Sequence, residues 1–478
     1  MRKWWPLVGV CLGTFMLLVD VTIVTVALPK MAGDLAASFA DLQWVLDGYA
    51  LALAALLLGT GALADRLGRR AVYLAGLGVF AAASLACALA PSPGVLIAAR
   101  VVQGVGGAAM FATTVALISA GYQGRDRGVA FGVWGAVNGG AAAAGPLLGG
   151  VLVEHVGWRS IFWVNLPVSV VAVVVTVLAV RESRDPGAAR VDLPGMAAFT
   201  AGASAVVYGL IRAEADGWTS PRILAALLGG AALLAVFALV EWRSRHAMLD
   251  LRLFRSPAFT GIMLAALLTQ GAAFGYLAYT SLWAQTVLGL GPVRAGLALV
   301  PLAATSFTVS AVAGRFLHGR PPRLVVAAGA LLIGAGAYAQ AHLSAHATAL
   351  TLLPGLVIAG VGVGLATPVL VSAALGAVPA RRAGMAGGAV NTARQFGFAL
   401  GVAVFGAVFQ ARAGQVPGGG RLSATAYASG LNTVYVAAGI GGCAAAVLVA
   451  ALVRAPRHPD PRPDAAGSRT ASSPAARP

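Results

Sequence analysis

The string "GALADRLGRR" occupies residues Gly61–Arg70. An apolar run over 43–63 leads into it and another over 71–90 follows, each about the length of a bilayer-crossing helix. Between them the chain changes character: one acid, Asp65, three arginines, Arg66, Arg69 and Arg70, and the glycines Gly61 and Gly68. Clustered arginines on a short loop between two spans mark a cytoplasmic loop. That bias explains the arginines but neither Asp65 nor the glycines. Glycine permits a tight turn and close helix approach. A carboxylate at the membrane surface can cap a neighbouring helix N-terminus.

The pattern of apolar run and basic loop extends in both directions. The chain has 478 residues, of which 59% are hydrophobic and 10% charged. A soluble domain carries about 25% charged residues, so lipid must cover much of this surface. Fourteen spans are expected, at 6–28, 43–63, 71–90, 94–120, 129–153, 160–180, 193–213, 221–241, 258–282, 293–316, 324–341, 350–377, 385–408 and 430–453. The fold class is therefore an all-α integral membrane protein. The N-terminus has the basic start of a signal peptide. Its apolar run is longer than such a signal needs, and no small-residue cleavage site follows, so it is read as a retained first helix. The tail 455–478, rich in Pro, Ala, Ser and Arg, is expected to be disordered and cytoplasmic. The three cysteines, Cys11, Cys87 and Cys443, lie far apart in apolar segments and form neither a metal nor a disulfide spacing.

Lysine and arginine set the orientation. With the N-terminus in the cytoplasm, 24 of the 33 basic residues fall on inner segments and 7 on outer ones; Arg100 and Arg394 lie within spans. An even number of crossings then puts both termini inside, in a multi-pass protein of the cell membrane. The split also accounts for the net charge of +17 without a nucleic-acid partner: the basic loops face anionic lipid. The acids are distributed differently. None occurs between Asp250 and Asp460, so proton chemistry that uses a membrane carboxylate must reside in the first half.

Asp20 interrupts "LLVDVTIVTVALP", residues 17–29. An acid at the centre of a membrane helix costs roughly 2.5–3.5 kcal/mol on insertion scales and marks a functional position by default. The bland alternative is a local bond to Thr22 or the backbone. Asp47 in the second span and Arg100 in the fourth lie, at about 1.5 Å per residue, in the same outer half of the bilayer as Asp20. An acid and an arginine at matched depth make a switchable pair; snorkelling to the surface is the plain reading of Arg100.

The loop Gly61, Leu63, Asp65, Arg66, Gly68, Arg69, Arg70 resembles the signature of the major facilitator superfamily between its helices 2 and 3. "GGAAAAGPLLGG", 139–150, with Gly145, Pro146, Gly149 and Gly150, is similar to the antiporter motif of exporting members. Clustered glycines around a membrane proline also make a packing seam. "ARVVQGVGGA" carries Arg100, Gln103 and Gly104 and resembles the helix 4 motif, whose arginine is linked to proton transfer. "LQWVLDGYALALA" (42–54), "GWRSIFWVNLP" (157–167) and "NTARQFGFALG" (391–401) narrow the likeness to the fourteen-helix drug–proton antiporter branch.

That resemblance implies a six-helix bundle over 1–180, a linker with two extra helices over 181–257, and a second bundle over 258–454. It implies a secondary exporter of hydrophobic or cationic drugs, working as a monomer, with the proton gradient in place of a cofactor. Asp20, Asp47 and Arg100 are the expected proton-coupling residues; the Gly61–Arg70 loop with Asp126, paired to Arg69, is the expected cytoplasmic gate. Gln103, Asn138, Phe274, Tyr279, Asn391 and Arg394 are the expected substrate contacts, although aromatics near a helix end are also ordinary interfacial residues.

A dedicated exporter of one metabolite fits the same residues equally well, whereas three rivals carry less. An importer does not fit the fifth-span motif. An ATP-driven pump needs Gly-Lys-Ser/Thr, yet Lys3 follows Arg2 and Lys30 follows Pro29. Metal hydrolysis would rest on His342 and His346, with no neighbouring acid. No metal site and no catalytic residue are expected.

Overall fold

A backbone in lipid must satisfy its own hydrogen bonds, which favours helices throughout. The computed structural model describes residues 2–184, 192–244, 249–316, 320–344, 346–378, 383–414 and 423–453. Among these it has helices and no strand: α1 (Trp5–Leu35), α2 (Phe39–Leu67), α3 (Arg69–Ala88), α4 (Pro93–Gly121), α5 (Gly124–His155), α6 (Ser160–Trp163), α7 (Asn165–Ala179), α8 (Leu193–Asp216), α9 (Pro221–Arg243), α10 (Pro257–Phe274), α11 (Leu277–Thr286), α12 (Pro292–Phe316), α13 (Pro322–Gln340), α14 (Leu353–Gly376), α15 (Ala383–Ala413) and α16 (Ala424–Leu452). Thirteen helical segments among the described residues are long and apolar enough to cross a membrane. The remaining expected span, 129–153, falls within the 32-residue α5. The tail 455–478 lies outside the described residues.

Helix starts follow local chemistry. Ser38 accepts from Asp41 N while Asp41 accepts from Ser38 N, a reciprocal cap that opens α2. Ser92, Ser220, Ser256 and Ser423 each accept from the backbone three residues on. Two expected boundaries are corrected. The first helix does not stop near residue 28 but continues through Pro29 to Leu35, ending on Ala36 in the left-handed region (φ 50°). A proline removes one backbone donor and does not oblige a helix to end. The ninth expected span is two helices, α10 and α11, interrupted at Gly275–Tyr276.

The helices α1–α7 pack as one group and α10–α16 as another. The hairpin α8–α9 is inserted between them in sequence, and α8 lies against both α2 and α15. Trp44 of α2 meets Tyr208 of α8 at 6.4 Å between ring centroids, and Phe199 of α8 meets Phe396 of α15 at 5.8 Å. The two groups join along α5–α12 and α2–α15.

Their hydrogen bonds to each other gather at the end that carries Asp34. Gln43 donates to the Tyr279 hydroxyl (3.1 Å) and to Val402 O (3.3 Å). Gln285 donates to Val26 O (2.9 Å), and Val293 N donates to Glu154 (2.9 Å). No hydrogen bond among the described residues joins the two groups at the end that carries Asp65.

Candidate functional site

The lengthened α1 changes the position of its acid. Asp20 stands at the midpoint of Trp5–Leu35, rather than near one end. Its carboxylate is fully buried, as is the guanidinium of Arg100 (0% and 1% exposed), and Arg100 Nη1 donates to Asp20 Oδ2. The other oxygen, Oδ1, accepts from Gln103 Nε2 (2.9 Å) and Asn165 Nδ2 (3.1 Å). Asp20 therefore bonds across helices and not to Thr22, whose hydroxyl goes to Leu18 O and Val19 O.

Each partner is itself held. Arg100 Nη1 also donates to Gln103 Oε1 (2.7 Å), and its Nε donates to Val45 O (3.0 Å). Its Cζ lies 4.3 Å from the ring centroid of Tyr49 and 5.9 Å from that of Phe162, which adds cation–π attraction in a buried site. Gln103 Nε2 reaches Ser84 Oγ (2.9 Å), and Ser84 donates to Phe80 O (2.8 Å). Asn165 Nδ2 also reaches Ser84 Oγ (3.3 Å). A buried carboxylate that faces one cation and two amide donors is compensated in its charged form. The helices meet because small residues let them: Gly104 backs onto Tyr49 O, and Gly106 onto the backbone of Phe80.

Asp47 is separate. It is fully buried, and among the described residues neither carboxylate oxygen has a hydrogen-bond partner. One helical turn from Gln43, it shares the α2 face that meets Tyr279 and Val402. The three expected coupling residues thus divide into a closed pair inside the first bundle and a lone acid turned toward the second.

The expected gate is rearranged. Asp126 pairs with Lys3 (3.2 Å), not with Arg69; Arg69 Nε instead bonds Asp65 (2.8 Å), one turn away in sequence. Asp65, engaged there, does not cap α3. Glu182 does so, accepting from Arg70 N (3.0 Å) and Ala71 N (3.1 Å). Gly68 has φ 120°, and a Cβ there would stand 2.7 Å from the Glu182 carboxyl carbon. Gly61 has room around it, with nothing nearer among the described residues than Ala112 Cβ at 4.0 Å, and Arg66 lies in the last turn of α2.

The fifth-span motif is a two-sided seam. Gly145 backs onto the Thr22 side chain and Gly149 onto Ile23 O (2.9 Å from an ideal Cβ), fitting α5 to α1. Gly150 backs onto Val293 Cα (2.7 Å), and the Pro146 carbonyl abuts Gly296, fitting α5 to α12.

The expected substrate contacts disperse. Gln103 belongs to the buried pair, because its amide is the right length to serve both Asp20 and Arg100. Tyr279 is 1% exposed and stacks on Phe39 and Phe409, so it seals the Asp34 end; Phe274 packs against the core nearby. Asn138 is half-buried and bonds Trp134 O one turn back (2.7 Å). Arg394 and Asn391 do lie together: Arg394 donates to Gln270 Oε1 (3.1 Å) and Asn391 Oδ1 (3.5 Å).

Sequence reasoning missed four contributors. Asn165 and Tyr49 stand inside quoted strings, where their polarity between apolar neighbours was the available signal. Ser84 gave none, since a lone serine in a membrane helix most often bonds its own backbone. Glu182 lies just after a span, where an acid reads as solvated.

The profile of the Major Facilitator Superfamily matches residues 10–402. The chain belongs to this superfamily. Its relatives include the multidrug resistance protein Stp of Mycobacterium tuberculosis, 37% identical over 85% of this chain and 75% of that protein. The tetracenomycin C resistance and export protein of Streptomyces glaucescens is 36% identical over 87% of this chain and 77% of that protein. Among solved structures, the human organic anion transporter MFSD10 superposes with a TM-score of 0.61 over 94% of this chain and 99% of that one, at 15% identity. That likeness concerns the fold alone. Membership places this chain among multi-span membrane transporters, not enzymes.

Proposed function

We propose that this major facilitator protein is a proton-driven antiporter that exports hydrophobic or cationic drugs by alternating access. The observation that carries the reading is the sealed pair of Asp20 and Arg100, with two amide donors on the acid. Such a carboxylate holds its charge while paired and changes its bonding when it takes a proton. Relatives named for multidrug resistance and for antibiotic resistance and export support the direction of transport.

In this reading α5 crosses the bilayer with the other thirteen, making fourteen spans, with both termini and the Asp65 end in the cytoplasm. The hydrogen bonds across the Asp34 end belong to an outward-closed state, and the two bundles rock about the seam that Gly150 and Gly296 form. Arg394, Asn391 and Asn138 line the substrate path, and the monomer suffices. Asp47 is the carboxylate placed to meet a cationic substrate or a second proton.

The test is proton-coupled exchange in everted vesicles from expressing cells, together with a resistance profile over a broad compound panel. Drug-dependent collapse of an imposed pH gradient is expected, and it should disappear in Asp20→Asn. Gradient collapse that persists in that variant would falsify the assignment. A second reading, a dedicated exporter of one metabolite, is favoured by a relative named for a single compound; protection against one compound in the panel selects it.

A further inference from the structure

We infer that α7 carries the protonation state of Asp20 to the Gly61–Arg70 loop, and that Asn165, not Arg100, is the residue that reads it. The inference rests on the reading of Asp20 as the proton carrier.

Arg100 has anchors that do not depend on Asp20. Val45 O and Gln103 Oε1 accept from it at 3.0 and 2.7 Å, and the Tyr49 ring stacks on it at 4.3 Å. Gln103 in turn keeps Ser84. A proton on Asp20 therefore leaves both residues largely in place. Asn165 stands differently. Its acceptors are Asp20 Oδ1 at 3.1 Å and, less closely, the Ser84 hydroxyl at 3.3 Å, which Gln103 already shares. A hydrogen bond to an ionised carboxylate is roughly twice as strong as one to a neutral group. The bond that protonation weakens most, relative to its alternatives, is the one that ties α7 to α1.

Asn165 is the first residue of α7, directly after the break at Val164 that separates α6. At the far end the same helix is fastened to the loop. Val177 O accepts from Arg70 Nη2 (2.8 Å), and Ser183 O accepts from Arg69 N (3.0 Å). Glu182 caps the first turn of α3, in the space that Gly68 leaves open. Twelve residues, about 18 Å of helix, separate Asn165 from Val177. Between them α7 touches α1 through small contacts, Ser169 Oγ on Met16 Sδ (3.2 Å) and Thr176 against Gly9. A rod held at both ends by polar bonds and along its length by small residues can transmit a shift of its first turn.

The titratable and charged groups that face Asp20 are Arg100 from α4, Tyr49 from α2 and Cys87 from α3. Neither α6 nor α7 brings any. The acids of α5 described here, Asp126 and Glu154, bond Lys3 and Val293 N. Arg294 is the second residue after Pro292 at the start of α12, and Tyr279 of α11 is bonded to Val402 O. Asn165 and Glu182 are accordingly positioning residues, and a pH profile separates them from residues that merely support the fold.

The experiment uses the full chain in lipid and needs no substrate. Infrared titration follows the carboxylic C=O band that Asp20→Asn removes. Maleimide labelling of Leu67→Cys, at the last residue of α2 and 56% exposed, is followed over the same pH range against the parent chain. Labelling of Leu67→Cys should follow the Asp20 band. In Asn165→Leu labelling should become flat with pH. Asn165→Ser, which keeps a donor, should restore part of the dependence. In Glu182→Gln the band should stay in place while the labelling response falls at least threefold. Because Glu182 lies outside the pair, this arm stands even if Asn165→Leu does not fold. Labelling that still follows the band in both Asn165→Leu and Glu182→Gln overturns the role of α7. If Asp20→Asn removes no titrating band, the reading of Asp20 itself fails.

Discussion

Arg100 donates to Asp20 from one turn of α4 while accepting nothing in return, and neither side chain is more than 1% exposed. Removing one partner from such a pair leaves the other buried and uncompensated, at a cost of about 3–5 kcal/mol. Arg100→Ala is expected to lower the melting temperature and to reduce proton-coupled exchange by about 100-fold or more, about 2.7 kcal/mol at the barrier. Asp20→Asn keeps the shape and two hydrogen-bonding positions. It nevertheless leaves the Arg100 charge buried without its counter-ion, so it too should lower the melting temperature while abolishing coupling. Vesicle assays paired with thermal melts check both variants; coupling lost in an Asp20→Asn protein that still melts cooperatively supports a proton role, and coupling kept there contradicts it.

Gly150 and Val293 meet so closely that an added methyl must displace backbone, with Cα at 2.7 Å and Pro292 O at 2.8 Å. Gly150→Ala should therefore cost about 1–3 kcal/mol by overpacking and slow transport by opening the seam between bundles. Gly33, with nothing within 4 Å among the described residues, is the control. Gly33→Ala should be neutral or stabilising by up to about 1 kcal/mol. Melting curves of both variants check this; equal effects would argue against the seam.

Tyr279→Phe removes the hydroxyl that accepts from Gln43 and donates to Val402 O. The closed Asp34 end should lose about 1 kcal/mol per bond, raising the open population roughly fivefold or more. Leu42→Cys, at a buried position beside Gln43 and Tyr279, labelled by a membrane-impermeant reagent, reports this. An unchanged labelling rate would show that stacking alone holds the end closed.

Asp65 and Arg69 form a part-exposed i,i+4 pair, which contributes only about 0.3–0.5 kcal/mol. Asp65→Asn should hardly change the melting temperature, while slowing turnover and leaving substrate binding intact. Gly68→Ala is expected to be worse. Its φ of 120° and the Glu182 carboxyl together impose strain of about 1–3 kcal/mol. Loss of binding alone in Asp65→Asn would contradict a role in gating.

Local chemistry made most of the helices legible. Continuous apolar length, serine caps and the basic loop at Arg66, Arg69 and Arg70 each act over a few residues and can be read in place. The expected first span ended at residue 28, whereas α1 runs through Pro29 to Leu35; whether a helix outlasts its proline depends on what packs beyond it. The site was legible in part. Asp20 and Arg100 stood out because charge in lipid is costly wherever it falls. Ser84 and Asn165 did not, because a neutral polar side chain is unremarked until its partner is known.

A helical membrane protein, the placement of its acids in the first half and the motifs that signal the superfamily are all written in the order of residues. Which groups meet is a matter of packing. It set Asn165 on Asp20, 145 residues away in sequence, gave the α3 cap to Glu182 instead of Asp65, and turned Asp47 toward the second bundle. The reason is physical. Hydrophobicity and charge cost energy residue by residue, so a chain displays them along its length. A hydrogen bond or ion pair exists only between two groups at the right distance and angle, which α1, α3, α4 and α7 supply when they pack.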